Sequence, residues 1–214
     1  MTPSQDATLL TILERSRSRG FLGPGSLRVQ RDHALGFAAG SERPPGRFLD
    51  LGSGGGVPGL VLVAHWPAAH AVLLDASARR CAFLTEAAGA LGCAGRVTVL
   101  RARAEEAGRR DDLRGQFDTV VARGFGSPSV TAECAAPFLV LNGTLIVSEP
   151  PGGDDDQGGR GGPGRWSTAG LAMLGLAADR TWTTPYHYRS FVLETPCPEN
   201  YPRRDGVPAK RPLF

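Results

Sequence analysis

Phe48-Leu49-Asp50-Leu51-Gly52-Ser53-Gly54-Gly55-Gly56-Val57-Pro58-Gly59 is the stretch from which the rest of the chain is read. Apolar residues lead into one acidic residue, five glycines follow between positions 52 and 59, and an apolar segment able to wind into a helix comes next. That order predicts a buried parallel strand, a tight turn and a helix N-terminus. Glycines at such a junction let a ligand reach the backbone where a side chain would stand in the way.

Spacing separates the ligands that use this kind of turn. The dinucleotide fingerprint G-x-G-x-x-G requires a glycine three residues after its second, and Val57 occupies that place. A nucleotide-triphosphate loop would need Gly-Lys-Ser/Thr, which does not follow. The observed Asp50-x-Gly52-x-Gly54-x-Gly56 resembles motif I of the class I S-adenosylmethionine (AdoMet) methyltransferases. The alternative is a plain glycine-rich turn between a strand and a helix.

With 214 residues the chain is long enough for a full α/β core, and we expect one domain over 1–214. Hydrophobic residues make up 41% and charged ones 21%, as in an ordinary globule. The net charge of +3 rests almost wholly on arginine, Lys210 being the only lysine; it permits nucleic-acid binding without arguing for it. Cys81, Cys93, Cys134 and Cys197 form no C-x-x-C pair, so neither a zinc site nor a redox pair is expected. No basic flank with an apolar run opens the chain, and no apolar stretch reaches the ~20 residues that span a bilayer. A cytoplasmic, monomeric protein without a metal is the expectation.

Strands are expected at 47–51, 71–75, 97–100, 117–122, 144–147, 179–184 and 188–194, with helices at about 7–19, 27–39, 57–65, 77–91, 128–139 and 171–176. This alternation predicts an α/β fold, Rossmann-like, with a mostly parallel seven-stranded sheet covered by helices on both faces. Residues 1–46 read as an N-terminal helical cap, or as helices packed simply against the sheet. The low-complexity stretch 150–164 reads as a flexible loop, and 196–214 as a basic, proline-rich tail.

Asp75 ends the second strand 25 positions after Asp50, near the ~20-residue offset at which an acidic group reads a ribose. A helix cap is the bland alternative there, although Ser77 could serve instead. Ala104-Glu105 follows the third strand, where AdoMet enzymes hold adenine; acidic residues also suit a helix start. After the fourth strand comes Arg123-Gly124-Phe125 rather than the Asp/Asn-Pro-Pro-aromatic run of exocyclic-amine methyltransferases. Cys134 falls inside a predicted helix, which suits a packing thiol better than a nucleophile.

Taken together, Phe48–Gly59, Leu73–Arg80 (LLDASARR), Arg103–Glu106 (RAEE), Phe117–Phe125 (FDTVVARGF) and Tyr201–Leu213 (YPRRDGVPAKRPL) resemble the glucose-inhibited division protein B family. The resemblance covers about 47–149 and 188–214. It implies AdoMet-dependent methylation of guanine N7 in bacterial small-subunit ribosomal RNA. By position it implies cofactor contacts at Gly52, Val57, Ala104, Glu105 and Arg123, with Asp75 at the ribose and Asp50, Gly54 and Gly56 in the donor loop. Arg123 is expected to orient cofactor or RNA, and Arg203, Arg204, Lys210 and Arg211 to meet phosphates unless the tail packs on the sheet. Three features depart from the family pattern: only His33 matches its His-x-x-Asp-Ser, Ser148-Glu149 replaces its Lys-Gly after the fifth strand, and the acidic, glycine-rich stretch 152–164 reads as an insertion. Those departures keep two alternatives open, namely an AdoMet enzyme acting on a small molecule or protein, and a non-catalytic RNA-binding relative.

Overall fold

A computed structural model describes residues 1–41, 43–150, 165–183 and 186–214. The element order is α1 (Pro3–Ser18), α2 (Leu27–Gly36), β1 (Arg47–Leu51), α3 (Gly59–His65), β2 (His70–Asp75), α4 (Ala78–Ala90), β3 (Val97–Arg101), α5 (Ala104–Ala107), β4 (Phe117–Ala122), α6 (Pro128–Ala135), β5 (Leu139–Ser148), α7 (Thr168–Ala172), β6 (Leu176–Trp182), β7 (Tyr188–Leu193) and α8 (Val207–Lys210). The low-complexity segment, apart from Pro150, lies outside the described residues.

The strands form one sheet in the order β3-β2-β1-β4-β5-β7-β6. The first five run parallel, and β7 pairs antiparallel with both β5 and β6. Chain direction across the sheet reverses between β1 and β4, and in such sheets ligands bind outside the carboxyl ends of the strands at that point. The central strands are buried on both faces, which is why they read as unbroken apolar runs.

Because strand side chains alternate, each strand feeds two cores. Leu49, Leu51, Val72, Val120 and Leu145 face α6, α7 and the C-terminal tail. Phe48, Leu73, Val121 and Ile146 face α1, α3 and α4. This is the α/β arrangement that the pattern predicts.

Several boundaries moved. The first helix begins at Pro3 rather than 7, because Thr2 and Gln5 form a reciprocal capping box and proline suits the first helical position. The sixth helix stops at Ala135, and the fifth strand starts at Leu139 rather than 144. The Leu141-Asn142-Gly143 turn sits inside that strand as an irregularity: Phe117 pairs with Leu139, but Thr119 pairs with Thr144. Asn142 takes φ 63° there, a left-handed conformation that asparagine tolerates. The apolar run at 171–176 is helical only to Ala172, and Leu176 already belongs to β6.

Candidate functional site

Four turns at the carboxyl ends of β1–β4 enclose a cavity of about 410 Å³, within the range of about 300–1,000 Å³ typical of small-molecule sites. Gly52 supplies the turn after β1, Asp75 the end of β2, Ala102–Glu105 the turn after β3, and Phe125–Ser127 the turn after β4.

The glycine loop is held by β2 and by α1. Gly52 and Ser53 donate their amides to the Leu74 carbonyl at 2.9 Å, which ties the loop to β2. Gly52 and Gly54 adopt φ 75° and 53°, a region open to glycine at little cost. From α1, the Ser16 hydroxyl donates to the Gly55 carbonyl at 2.8 Å. A methyl group on Gly55 would lie 2.4 Å from that hydroxyl and 2.7 Å from the Phe21 carbonyl, so the segment packs too closely for any side chain.

Asp75 joins two turns. Its Oδ2 accepts the Gly54 amide at 2.9 Å and its Oδ1 accepts the Ser77 amide at 2.8 Å. Each carboxylate oxygen keeps further lone-pair capacity for a hydroxyl donor from the cavity. The helix cap of α4 is instead Ser77, whose side chain accepts from the Arg80 amide. Asp75 thus has what a ribose diol requires: a near-buried acceptor lining the cavity, with its position fixed by backbone amides.

The sequence-derived residues divide on inspection. Gly52, Asp75, Ala104 and Glu105 line the cavity together. Gly54 reaches it through Asp75. Gly56 and Val57 face the core: a Cβ on Gly56 would meet Leu60 at 2.4 Å, and Val57 joins the cluster of α1, α3 and α4. Asp50 lies wholly buried beneath the loop, its Oδ2 accepting the Gly59 amide at 3.0 Å. Its Oδ1 has no partner, and burial raises its carboxyl to about 7 against the opposing effects of Ser53 and the Gly59 amide. It braces the loop from below rather than facing the cavity.

Arg123 is also absent from the cavity wall. Its guanidinium donates to Gln30 of α2 and stands among Asp50, Tyr186 and Tyr188, while burial lowers its basicity. Nearby, His33 packs 4.5 Å from the Tyr186 ring, its Nε2 buried without a hydrogen bond. Burial first, and then the Arg123 charge, lowers its pKa to about 4, so it is neutral at pH 7. Arg123, from the end of β4, and His33 of α2 therefore form one cluster, whose residues are not among those lining the cavity.

In the tail, Arg203 is engaged with Glu133 of α6, a carboxylate with no exposure. The amide and Nε each reach Oε1 at 2.8 Å, and Nη2 reaches Oε2 at 2.7 Å. The phosphate-contact expectation loses Arg203 to packing, leaving the exposed Arg204, Lys210 and Arg211. At the end of β5, Glu149 accepts from Trp166 Nε1 and Arg165 Nη1, both at 2.5 Å, so a cation from the far side of the segment 151–164 stands where Ser148-Glu149 supplies none. Cys134 is buried within α6, and desolvation raises its thiol far out of the reactive range. The cavity residues that sequence reasoning missed include Phe125, Val130 and Ala209. Phe125 alone had a signal, its place just after β4.

The family described as rRNA small subunit methyltransferase G matches residues 34–149. A protein of Moorella thermoacetica named ribosomal RNA small subunit methyltransferase G is 33% identical over 85% of this chain and 75% of its own length. A protein of the same name from Prochlorococcus marinus (strain MIT 9303) is 36% identical over 81% of this chain and 70% of its own. The chain belongs to this family. Among solved structures, the chain is similar to an O-methyltransferase from Bacillus cereus in complex with SAH. That similarity has a TM-score of 0.61 at 15% identity, covering 87% of this chain and 90% of the other, and it bears on the fold alone. The family assignment agrees with the glucose-inhibited division protein B resemblance and with AdoMet as the methyl donor. Among the described residues no helix is long and apolar enough to cross a membrane.

Proposed function

We propose that this chain transfers a methyl group from AdoMet to N7 of a guanine in bacterial small-subunit ribosomal RNA, acting as a monomer in the cytoplasm. The observation that carries the reading is Asp75, fixed at the end of β2 by two backbone amides and lining the cavity at the chain reversal of a methyltransferase-family sheet.

Bound AdoMet would supply an electrophilic sulfonium methyl to the in-plane lone pair of guanine N7, with neutral S-adenosylhomocysteine as the leaving group and the positive charge carried by the methylated purine. No proton leaves N7, so the chain needs no general base. What its residues contribute is alignment and water exclusion. Asp75 would hold the ribose hydroxyls, Gly52 would let the donor approach the backbone, and the Ala104-Glu105 turn would border the adenine. Arg123, fixed by Gln30, orients the acceptor side of the cleft. N7 lies in the deep, narrow major groove of A-form RNA, so the target guanine must be unpaired or splayed. Arg204, Lys210 and Arg211 would meet phosphates.

The test is incubation with labelled AdoMet and small-subunit rRNA from a strain lacking the enzyme, followed by mapping of the modified base. Label at guanine N7 is expected. AdoMet binding without rRNA labelling would turn the reading toward another acceptor.

A further inference from the structure

The sequence leaves the C-terminal tail either meeting RNA phosphates or packing on the sheet; its one helical turn contributes a wall to the cavity at the ends of β1–β4. Ala209 of α8 lines the same space as Gly52 and Asp75. The turn is held there by anchors on both elements that flank the cavity. On the β3 side, Glu105 Oε1 accepts the Gly206 amide at 3.2 Å, and Arg103 Nε donates to Asp205 at 2.9 Å. On the β4 side, α6 holds Arg203 through Glu133, and its Ser129 hydroxyl accepts the Leu213 amide at 2.7 Å. Upstream, Arg114 ties the Tyr201 and Cys197 carbonyls at 2.7 and 2.8 Å. Gly206 takes φ 73°, the left-handed bend that starts α8.

We infer that residues 203–213 are a fixed strap completing the donor site, with Ala209 as a cofactor-facing wall and Glu105 as a positioning residue that acts through Gly206. This rests on the methyl-donor reading above and deepens it. An arm meant to reach for RNA would have its anchors free; here the anchors are engaged, and Arg204, Lys210 and Arg211 are the exposed basic side chains of the segment. Glu105 is 5% exposed, and one of its oxygens is already bonded to the tail. Its presence in the cavity wall is therefore explained without a bond to the nucleoside.

The experiment uses the full chain and S-adenosylhomocysteine, which binds without reacting. Ala209 is an exposed side chain, so Ala209→Trp leaves the core intact while filling cavity space. Calorimetry is expected to show Kd raised by about tenfold or more, the usual consequence of overfilling a shaped site. In the unsubstituted protein, amide exchange over residues 206–211 is expected to slow when S-adenosylhomocysteine saturates the site. Unchanged affinity in A209W, or unchanged exchange over 206–211, overturns the inference while the wild type still binds. A wild-type chain that binds no S-adenosylhomocysteine removes the methyl-donor reading itself, a separate failure.

Discussion

Arg203→Ala separates a packing role from a phosphate-binding one by magnitude. In the folded chain Glu133 has no solvent exposure and three donors from Arg203, one of them the backbone amide at 2.8 Å. The substitution removes both guanidinium bonds and the compensating charge but keeps the amide. Stripping one partner from a buried pair costs about 3–5 kcal/mol, and the surviving amide together with the one-quarter exposure of the Arg203 side chain places the loss near the lower end, about 3 kcal/mol. For a domain of this size each kcal/mol lowers Tm by about 2–4 °C, so a fall of roughly 6–12 °C is expected in a thermal melt. Glu133→Gln combined with Arg203→Ala should recover much of it, because the unpaired charge disappears with the carboxylate. RNA affinity measured across a salt series should keep its slope. A melting point within about 2 °C of wild type, with a salt slope reduced by about one, would show that Arg203 serves phosphate and would refute the packing account.

Three further outcomes are expected. Asp75→Ala removes the acceptor from the cavity and frees two turns, so S-adenosylhomocysteine affinity should fall by about a hundredfold or more in calorimetry; hydrogen bonds to charged groups contribute about 1.5–3 kcal/mol each. Asp50 has a folded pKa raised from 3.8 to about 7, so its protonated form favours the fold. That contribution is complete below about 3.8 and is lost as pH rises through about 7, and it amounts to roughly 4 kcal/mol at most. Asp50→Asn should therefore gain stability relative to wild type between pH 5 and pH 8 in denaturant titrations, and parallel pH curves would contradict this. Gly59→Ala would set a Cβ 2.3 Å from Asp50 Oδ2 and 2.6 Å from Leu73, and a loss of about 1–3 kcal/mol in the same titrations checks it.

The central sheet was legible because its strands are apolar on both faces and end at glycine or aspartate, as at Gly52 and Asp75. What escaped was settled by tertiary pairing. Asn142-Gly143 carries turn chemistry, yet β4 pairs with residues on either side of it, and β7 with those after it, in one long strand. The run 171–176 is too short for periodicity to distinguish helix from strand. At the site, the cavity-lining Gly52 and Asp75 followed from the glycine loop and the offset between two strand ends, whereas Ala104 and Glu105 followed from the resemblance to AdoMet methyltransferases. Asp50 carries the same local signal as a ligand-facing residue, and only the side of β1 on which its carboxylate falls distinguishes the two. The Arg203–Glu133 pair spans 70 residues, and α8 is four residues long, so neither leaves a periodic trace.

The carboxylate of Asp75 works like a rivet through two sheets of metal. Since one of its oxygens accepts from Gly54 and the other from Ser77, the glycine loop and the start of α4 are pinned to each other through a single side chain. Little ordering is left for the incoming molecule to impose, and its binding energy is correspondingly free for aligning the group to be transferred.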